Sequence, residues 1–153
     1  MLGNHDYWAK ADEFVRAMFV EHGIQWLAGR CERIAAATSR HLVMCGTEEP
    51  WGPGAQPDAF GPDDYVVMLT HTPDNVYATR TQVDLMFAGH SHGGQLRIPW
   101  VGSLVVPSRY GRRLDRGTFH IERTQLFVSS GIGVDSPSLR VYCPPEIIVV
   151  DLV

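Results

Sequence analysis

The amino-acid sequence predicts an α/β fold built as one domain. Two continuous apolar runs, residues 65–70 and 84–88, have the length and composition of buried strands. Residues 10–22 repeat apolar side chains at helical spacing, and Gly23 follows them as a helix terminator. The chain has 153 residues, which is the size of a single domain.

Shorter elements are predicted between and after these segments. Pro- and Gly-rich residues 47–64 predict a long surface loop that could serve as a lid, and residues 72–81 predict a short helix or turn capped by Thr72 or Asp74. Apolar runs bounded by turn residues predict further strands. These runs lie at residues 24–27, 33–37, 41–45, 96–98, 103–106, 117–122, 125–129 and 147–152.

Composition and charge restrict the class of protein. Hydrophobic residues make up 44% of the chain and charged residues 20%, which is enough apolar material for a core. The net charge of -4 argues against a general nucleic-acid binder, and no apolar run is long enough to span a bilayer. The three cysteines, Cys31, Cys45 and Cys143, are an odd number, which excludes a complete disulfide framework. We interpret them as small, half-buried hydrophobic residues.

Polar side chains with metal-binding chemistry follow the predicted strands. His71 directly follows one buried strand, His90 and His92 follow the other, and Asn4 and His5 lie in a Gly-Asn-His-Asp turn. Ligands bind at the carboxyl ends of strands in such sheets, so these side chains are expected to converge. In an extended segment His90 and His92 would point the same way, each toward one of two adjacent metals.

Histidine and amide oxygen ligands suit Mn, Fe, Zn or Ni, so two divalent ions of this kind are the expected cofactors. A single histidine after a strand is more often structural than functional. Three such motifs in one chain make chance a poor explanation of the whole set.

The motifs resemble those of the calcineurin-like metallophosphoesterase superfamily. They are Gly-Asn-His-Asp at 3–6, His-Thr-Pro-Asp at 71–74 and Gly-His-Ser-His-Gly-Gly-Gln at 89–95. Cys-Pro-Pro-Glu-Ile at 143–147 resembles a bacterial branch with membrane-associated phosphodiesterases acting on lipid-linked or nucleotide-linked substrates. The resemblance implies a two-sheet β-sandwich flanked by helices. Residues 1–153 would then be the carboxy-terminal part of one such domain, without its amino-terminal strands.

The resemblance also implies a role for each motif residue. Asn4, His71 and His90 would ligate one metal, and His92 would ligate the other. His5 would be the catalytic histidine, and Asp6 would orient it. These two catalytic residues and four ligands would hydrolyse a phosphodiester or phosphomonoester at a binuclear centre.

The Asp-x-His and Gly-Asp motifs that the family places before Gly-Asn-His-Asp do not occur ahead of it in this sequence. We therefore expect the isolated chain to bind metal weakly and to turn over little. The alternative is a non-catalytic metal-binding or interaction remnant.

Two further segments leave alternatives open. Five arginines between residues 97 and 116 surround apolar residues 98–106; this segment could contact an anionic lipid or substrate, although a hairpin with a buried apolar face is favoured. Residues 129–133 could bind a phosphate through backbone N–H groups, but such a stretch is more often a turn. The expected partners are thus a phosphoester substrate and a peripheral membrane contact, without specific nucleic acid. Cytoplasm or membrane periphery is the expected location.

Overall fold

A mixed six-stranded sheet forms the centre of the molecule, as the α/β prediction requires. The computed structural model describes residues 1–34, 41–55, 57 and 60–152. Its helices are α1 (Asn4–Trp8), α2 (Asp12–Glu21) and α3 (Val76–Thr79). Its strands are β1 (Arg30–Ile34), β2 (His41–Thr47), β3 (Asp64–Thr70), β4 (Leu85–Ala88), β5 (Arg97–Ile98), β6 (Gly102–Ser103), β7 (Gly117–Ile121) and β8 (Thr124–Val128).

The strand order is β1-β2-β3-β4-β8-β7, and β5 and β6 pair separately as a small antiparallel hairpin. β2, β3, β4 and β8 run parallel, whereas β1 and β7 are antiparallel edge strands. The parallel strands therefore end at one edge of the sheet, which is where an α/β protein binds ligands.

The core lies on the parallel strands, which are apolar on both faces. Val66 and Val67 of β3, and Leu85 and Met86 of β4, are at most 2% exposed, and successive side chains of a strand point to opposite faces. Burial on both faces explains why these strands were visible in the sequence as continuous apolar runs.

The predicted helix at 10–22 is confirmed. The loop predicted at 47–64 is confirmed for the described residues between β2 and β3, which are 48–55, 57 and 60–63. So is the element at 72–81, which consists of a 3₁₀ turn (Pro73–Asn75) followed by α3. The Thr72 side chain accepts a hydrogen bond from Asp74 N at 3.4 Å, as a capping residue should. None of the described helices has the length and apolar character needed to cross a bilayer.

Other strand predictions are wrong or too long. Residues 24–27 and 147–152 are irregular, and the strand predicted at 103–106 ends at Ser103. A strand needs a partner, and Ile147 and Val149 remain 80% and 83% exposed in an irregular segment that pairs with no described strand. The predicted strand at 33–37 coincides with β1 only at residues 33 and 34, and residues 35–37 lie outside the described part.

The interpretation of the cysteines needs correction. Cys31 and Cys45 form a disulfide, and only Cys143 is free and buried among the described residues. The two half-cystines are cross-strand partners in the antiparallel β1–β2 pair, so their side chains lie on the same face. Because the two cysteines are 14 residues apart along the chain, the local sequence pattern did not indicate that they are paired.

A fully buried carboxylate connects the amino terminus to the sheet. Glu48 follows β2 directly and is 0% exposed. Its carboxylate accepts hydrogen bonds from Leu2 N, from Tyr7 Oη at 2.5 Å and from Trp26 Nε1 at 2.8 Å. Charged acceptors form strong hydrogen bonds in such surroundings, so this carboxylate fixes the position of α1.

We predict that Glu48→Gln lowers the free energy of unfolding by roughly 1–3 kcal/mol, because the amide removes the charge and leaves a buried donor unsatisfied. Urea unfolding measures this change. Glu49→Gln removes the same charge from an exposed neighbour and should change stability little. Equal effects of the two substitutions would contradict the anchoring role of Glu48.

Tyr7 predicts a pH dependence in the alkaline range. Burial, followed by the hydrogen bond to Glu48, raises the pKa of Tyr7 from 10.0 to about 12. The folded state thus holds this proton more tightly than the unfolded state, and its contribution to stability is complete below pH 10.0 and lost as the pH rises toward about 12. Tyr7→Phe should make stability less dependent on pH within this window, which thermal unfolding at several pH values would show.

Candidate metal centre

Two histidines meet at the carboxyl edge of the sheet. His71 follows the last residue of β3, and His90 lies two residues beyond β4. Because β3 and β4 are parallel neighbours, the two rings lie with their centroids 4.7 Å apart. Gly89 N donates a hydrogen bond to His71 O at 3.1 Å, which links the two strand ends.

Asn4 reaches this pair from the first turn of α1. It is 2% exposed, and its Oδ1 lies 2.7 Å from His71 Nε2. Gly3 permits the approach, because a Cβ added to it would lie 2.5 Å from His71 Cε1. The structure therefore brings one amide oxygen and two imidazoles to one place.

His92 lies in the same region but not in the predicted conformation. Residues 90–92 are not extended, since His90 and His92 have φ angles of 65° and 49° and His92 begins a 3₁₀ turn. The two histidines nevertheless line one cavity of about 270 Å³. His92 Nδ1 is 3.3 Å from Gly133 O, so it is oriented by the turn that follows β8.

His5 lies at the opening of the site. It lines the cavity of about 270 Å³ and also a neighbouring one of about 480 Å³, which contains Asn4, His71 and His92. Its Nε2 is 3.5 Å from Asp135 Oδ2. The pKa of Asp135 lies below its ordinary value, chiefly because Ser136 N donates a hydrogen bond to it and further because His5 is near.

The expected contact between Asp6 and His5 is not what the structure shows. Asp6 Oδ2 accepts a hydrogen bond from Gly3 N at 2.7 Å, which satisfies one of the free N–H groups at the start of α1. Because Asp6 faces back toward Gly3, the carboxylate beside His5 is Asp135.

Burial determines the protonation of the two central histidines. It lowers the pKa of His71 to about 4, with the neighbouring His90 as the next cause. It also lowers the pKa of His90. At neutral pH the His71 ring is therefore uncharged and retains a lone pair.

Trp51 encloses the pair of histidines and was not singled out from the sequence. Its ring centroid is 5.5 Å from that of His71 and 4.8 Å from that of His90. The backbone hydrogen bond from Trp51 N to Glu48 O, at 3.0 Å, holds it there. The available signal for Trp51 was a tryptophan within the Pro- and Gly-rich loop. For the partner of His5, the available signal was Asp135, an acidic residue shortly after the segment at 129–133.

The segment at 129–133 is a turn, and its geometry does not favour phosphate binding. Ser130 N donates to Glu146 Oε2 at 3.0 Å and Gly131 N to Ser129 Oγ at 3.0 Å, so both N–H groups are engaged. Arg140 donates to the carbonyl oxygens of Ser130 and His92, which ties this turn to the His92 segment.

The donor atoms that converge at this edge determine which metal ion could bind there. Within the described ranges, no three or more histidine, cysteine, aspartate or glutamate side chains form a group that could hold a metal. The convergent donors are instead two imidazoles and the Asn4 amide oxygen, and this chemistry fits a borderline divalent ion.

We predict that Gly3→Ala weakens metal binding by about tenfold or more, an effect of the size seen when support of a ligand is lost. The added methyl would collide with His71 while the backbone of residue 3, at φ -116°, remains free of strain. Calorimetric titration with Mn²⁺ measures the affinity. Gly61→Ala is the matched control, because Gly61 lies before β3, at the opposite end of that strand from His71, and a Cβ there would meet only Asp64 Oδ2 at 3.9 Å. Unchanged affinity in Gly3→Ala would contradict the predicted role of His71.

The chain is similar in sequence to several curated bacterial proteins that are named as metallophosphoesterases, phosphodiesterases or pyrophosphatases. No family model matches the chain, and no solved structure matches it. Phosphodiesterase YaeI of Escherichia coli (strain K12) is 30% identical over 156 residues, covering 99% of this chain and 57% of YaeI. The uncharacterized metallophosphoesterase YkuE of Bacillus subtilis (strain 168) is 34% identical over 58% of this chain and 31% of YkuE.

A third relative is named for its substrate. UDP-2,3-diacylglucosamine pyrophosphatase LpxG of Chlamydia muridarum is 33% identical over 53% of this chain and 27% of LpxG. The chain thus spans little more than half of YaeI and a smaller part of the other two. With the motifs gathered at one edge of the sheet, these similarities show that the chain belongs to the calcineurin-like metallophosphoesterase superfamily.

Proposed function

We propose that the chain forms the histidine-rich part of a metal-dependent phosphoester hydrolase with a binuclear centre. The observation that supports this most is the meeting of Asn4, His71 and His90 beside an open cavity, with His5 at its opening. A purely structural histidine pair would not need a cavity or a second pair of histidines around it.

The metal ligands in this proposal are Asn4 Oδ1, His71 Nε2 and a ring nitrogen of His90 for one ion, and His92 for the other. Asn4 and His71 already present their donor atoms to each other at 2.7 Å, so an ion between them needs only small adjustments. Bound divalent ions would polarise the phosphoryl group and lower the pKa of a bound water.

The other residues bind, orient and transfer protons. His5 protonates the leaving-group oxygen, and Asp135, 3.5 Å away, orients the ring. Asp6 acts indirectly, because its bond to Gly3 N holds the turn that presents Asn4 and His5. Trp51 shields His71 and His90 from water.

The proposed substrate is a phosphoester with a large lipid-linked or nucleotide-linked group. A cavity of about 940 Å³ opens beside His90, and Trp51, Tyr77, Arg109 and Tyr110 are among its lining residues. Aromatic rings and a guanidinium group suit a nucleobase and a phosphate. The name of the relative LpxG supports the same substrate class.

The rival proposal is a metal-binding remnant without catalytic activity. His92 is the single ligand that this chain offers to a second ion under the family pattern. Metal binding without hydrolysis would therefore be the expected behaviour of the remnant.

The decisive experiment combines Mn²⁺ titration with hydrolysis of bis-p-nitrophenyl phosphate. We predict that His90→Ala lowers Mn²⁺ affinity by at least about tenfold. His5→Ala should lower turnover by roughly 10²–10⁴-fold at unchanged affinity, because it removes only a proton donor. His22→Ala, an exposed histidine after α2, is the matched control.

Both assays are run on this chain and on a form extended through any upstream coding sequence. Turnover in the extended form that disappears in His90→Ala supports the hydrolase. Mn²⁺ binding without turnover in both forms supports the remnant. Equal loss of metal and turnover in His5→Ala would make His5 a ligand.

A further inference from the structure

We propose that the β5–β6 hairpin and the segment after it dock on an anionic membrane surface. The docking patch, as we call it, consists of five apolar side chains and three cations. They are Ile98, Trp100, Val101, Leu104 and Val105, with Arg109, Arg112 and Arg113.

The apolar side chains of the docking patch face outward. The exposed fractions are 103% for Trp100, 75% for Val105, 57% for Val101, 55% for Leu104 and 45% for Ile98. The hairpin with a buried apolar face that the sequence favoured is therefore wrong. Isolated exposed hydrophobic residues are common, but five within eight consecutive positions of one short hairpin and the segment after it indicate a binding site.

The hairpin is held rigidly from its inner side. Arg97 Nη1 donates to Gly93 O, to Ser103 Oγ and to Asp115 Oδ2, each at 2.8 Å. Ser103 is 0% exposed, and Arg112 Nη1 donates to Val101 O at 2.9 Å near the tip. Polar contacts thus fix the base of the hairpin while the apolar side chains project away from it.

Charge identifies the partner. Residues 97–116 contain five arginines and a single acidic residue, Asp115, in a chain whose net charge is -4. Asp115 is paired with Arg97, and Arg109, Arg112 and Arg113 are exposed. Asp74 is an acidic neighbour from another element, since its carboxylate accepts hydrogen bonds from Ser108 Oγ and Arg109 N, but the three exposed arginines outnumber it. This local excess of positive charge is complementary to anionic headgroups.

The combination of a projecting tryptophan and surrounding arginines matches the headgroup region of a bilayer. Tryptophan favours this interface because its ring is apolar and its N–H group is polar. A second copy of the chain is a poorer occupant, because two docking patches placed face to face would oppose the same arginines. The occupant we propose is therefore an anionic phospholipid surface.

Docking would also place the large cavity near the bilayer. Pro107, Ser108, Arg109 and Tyr110 continue directly from the apolar residues and form one wall of that cavity. Vesicle binding by the docking patch requires neither metal nor substrate, so its test is independent of the proposed hydrolase activity.

The test is sedimentation of the chain with vesicles of phosphatidylcholine alone or containing phosphatidylglycerol. We predict binding to the anionic vesicles that declines with added salt. Trp100→Ser should weaken it by about tenfold or more. Arg109→Gln with Arg113→Gln should weaken it by roughly fivefold for each charge.

The matched controls remove an exposed aromatic residue and two exposed positive charges that lie outside the docking patch. Phe14→Ser removes an aromatic side chain that is 67% exposed on α2, and Lys10→Gln with Arg30→Gln removes two exposed charges. These controls should bind vesicles like the unmodified chain, and circular dichroism would check that all variants are folded.

Several results would overturn the proposal. They are absence of vesicle binding, equal binding to neutral and anionic vesicles, or unchanged binding in Trp100→Ser. If the chain does not bind vesicles but forms dimers, and Trp100→Ser dissociates those dimers, the docking patch is a self-association surface instead.

Retained vesicle binding in His90→Ala would support the proposal, because it would show that membrane docking does not depend on the metal centre.

Discussion

The buried carboxylate of Glu48 is the contact on which the candidate site depends. α1 has only five residues, too few to be stable as an isolated helix, so its position must be imposed from outside. Glu48 does so by binding Leu2, Tyr7 and Trp26 together at the end of β2. Glu48 therefore positions Asn4 and His5 at the sheet edge, although Glu48 itself takes no part in the proposed chemistry.

The parallel arrangement of the central strands supplies the rest of the site. Each crossover returns the chain to the same edge, so segments distant in sequence end side by side. His71 and His90 meet because β3 and β4 are neighbours, and His92 is oriented by the turn after β8, the next strand. The strand order therefore positions the three histidines His71, His90 and His92, and α1 contributes Asn4 and His5.

The sequence was most informative where one residue's environment follows from its neighbours along the chain. Buried strands such as β3 were predictable because both faces are apolar, and the histidine motifs follow those strands directly. Contacts between distant segments were not predictable. The pairing of Cys31 with Cys45 and of His5 with Asp135 depends on register and on loop paths, which local patterns do not encode. The strand predicted at 147–152 failed because apolar alternation creates a strand only where a partner is available.

The backbone at Trp100 has a consequence for engineering. Its φ angle of 63° is a conformation in which a side chain with a Cβ costs roughly 1 kcal/mol or more compared with glycine. A redesign guided by thermostability alone would therefore place glycine at the tip of this hairpin. That choice would give a more stable protein with weaker membrane docking, because it removes the tryptophan of the docking patch.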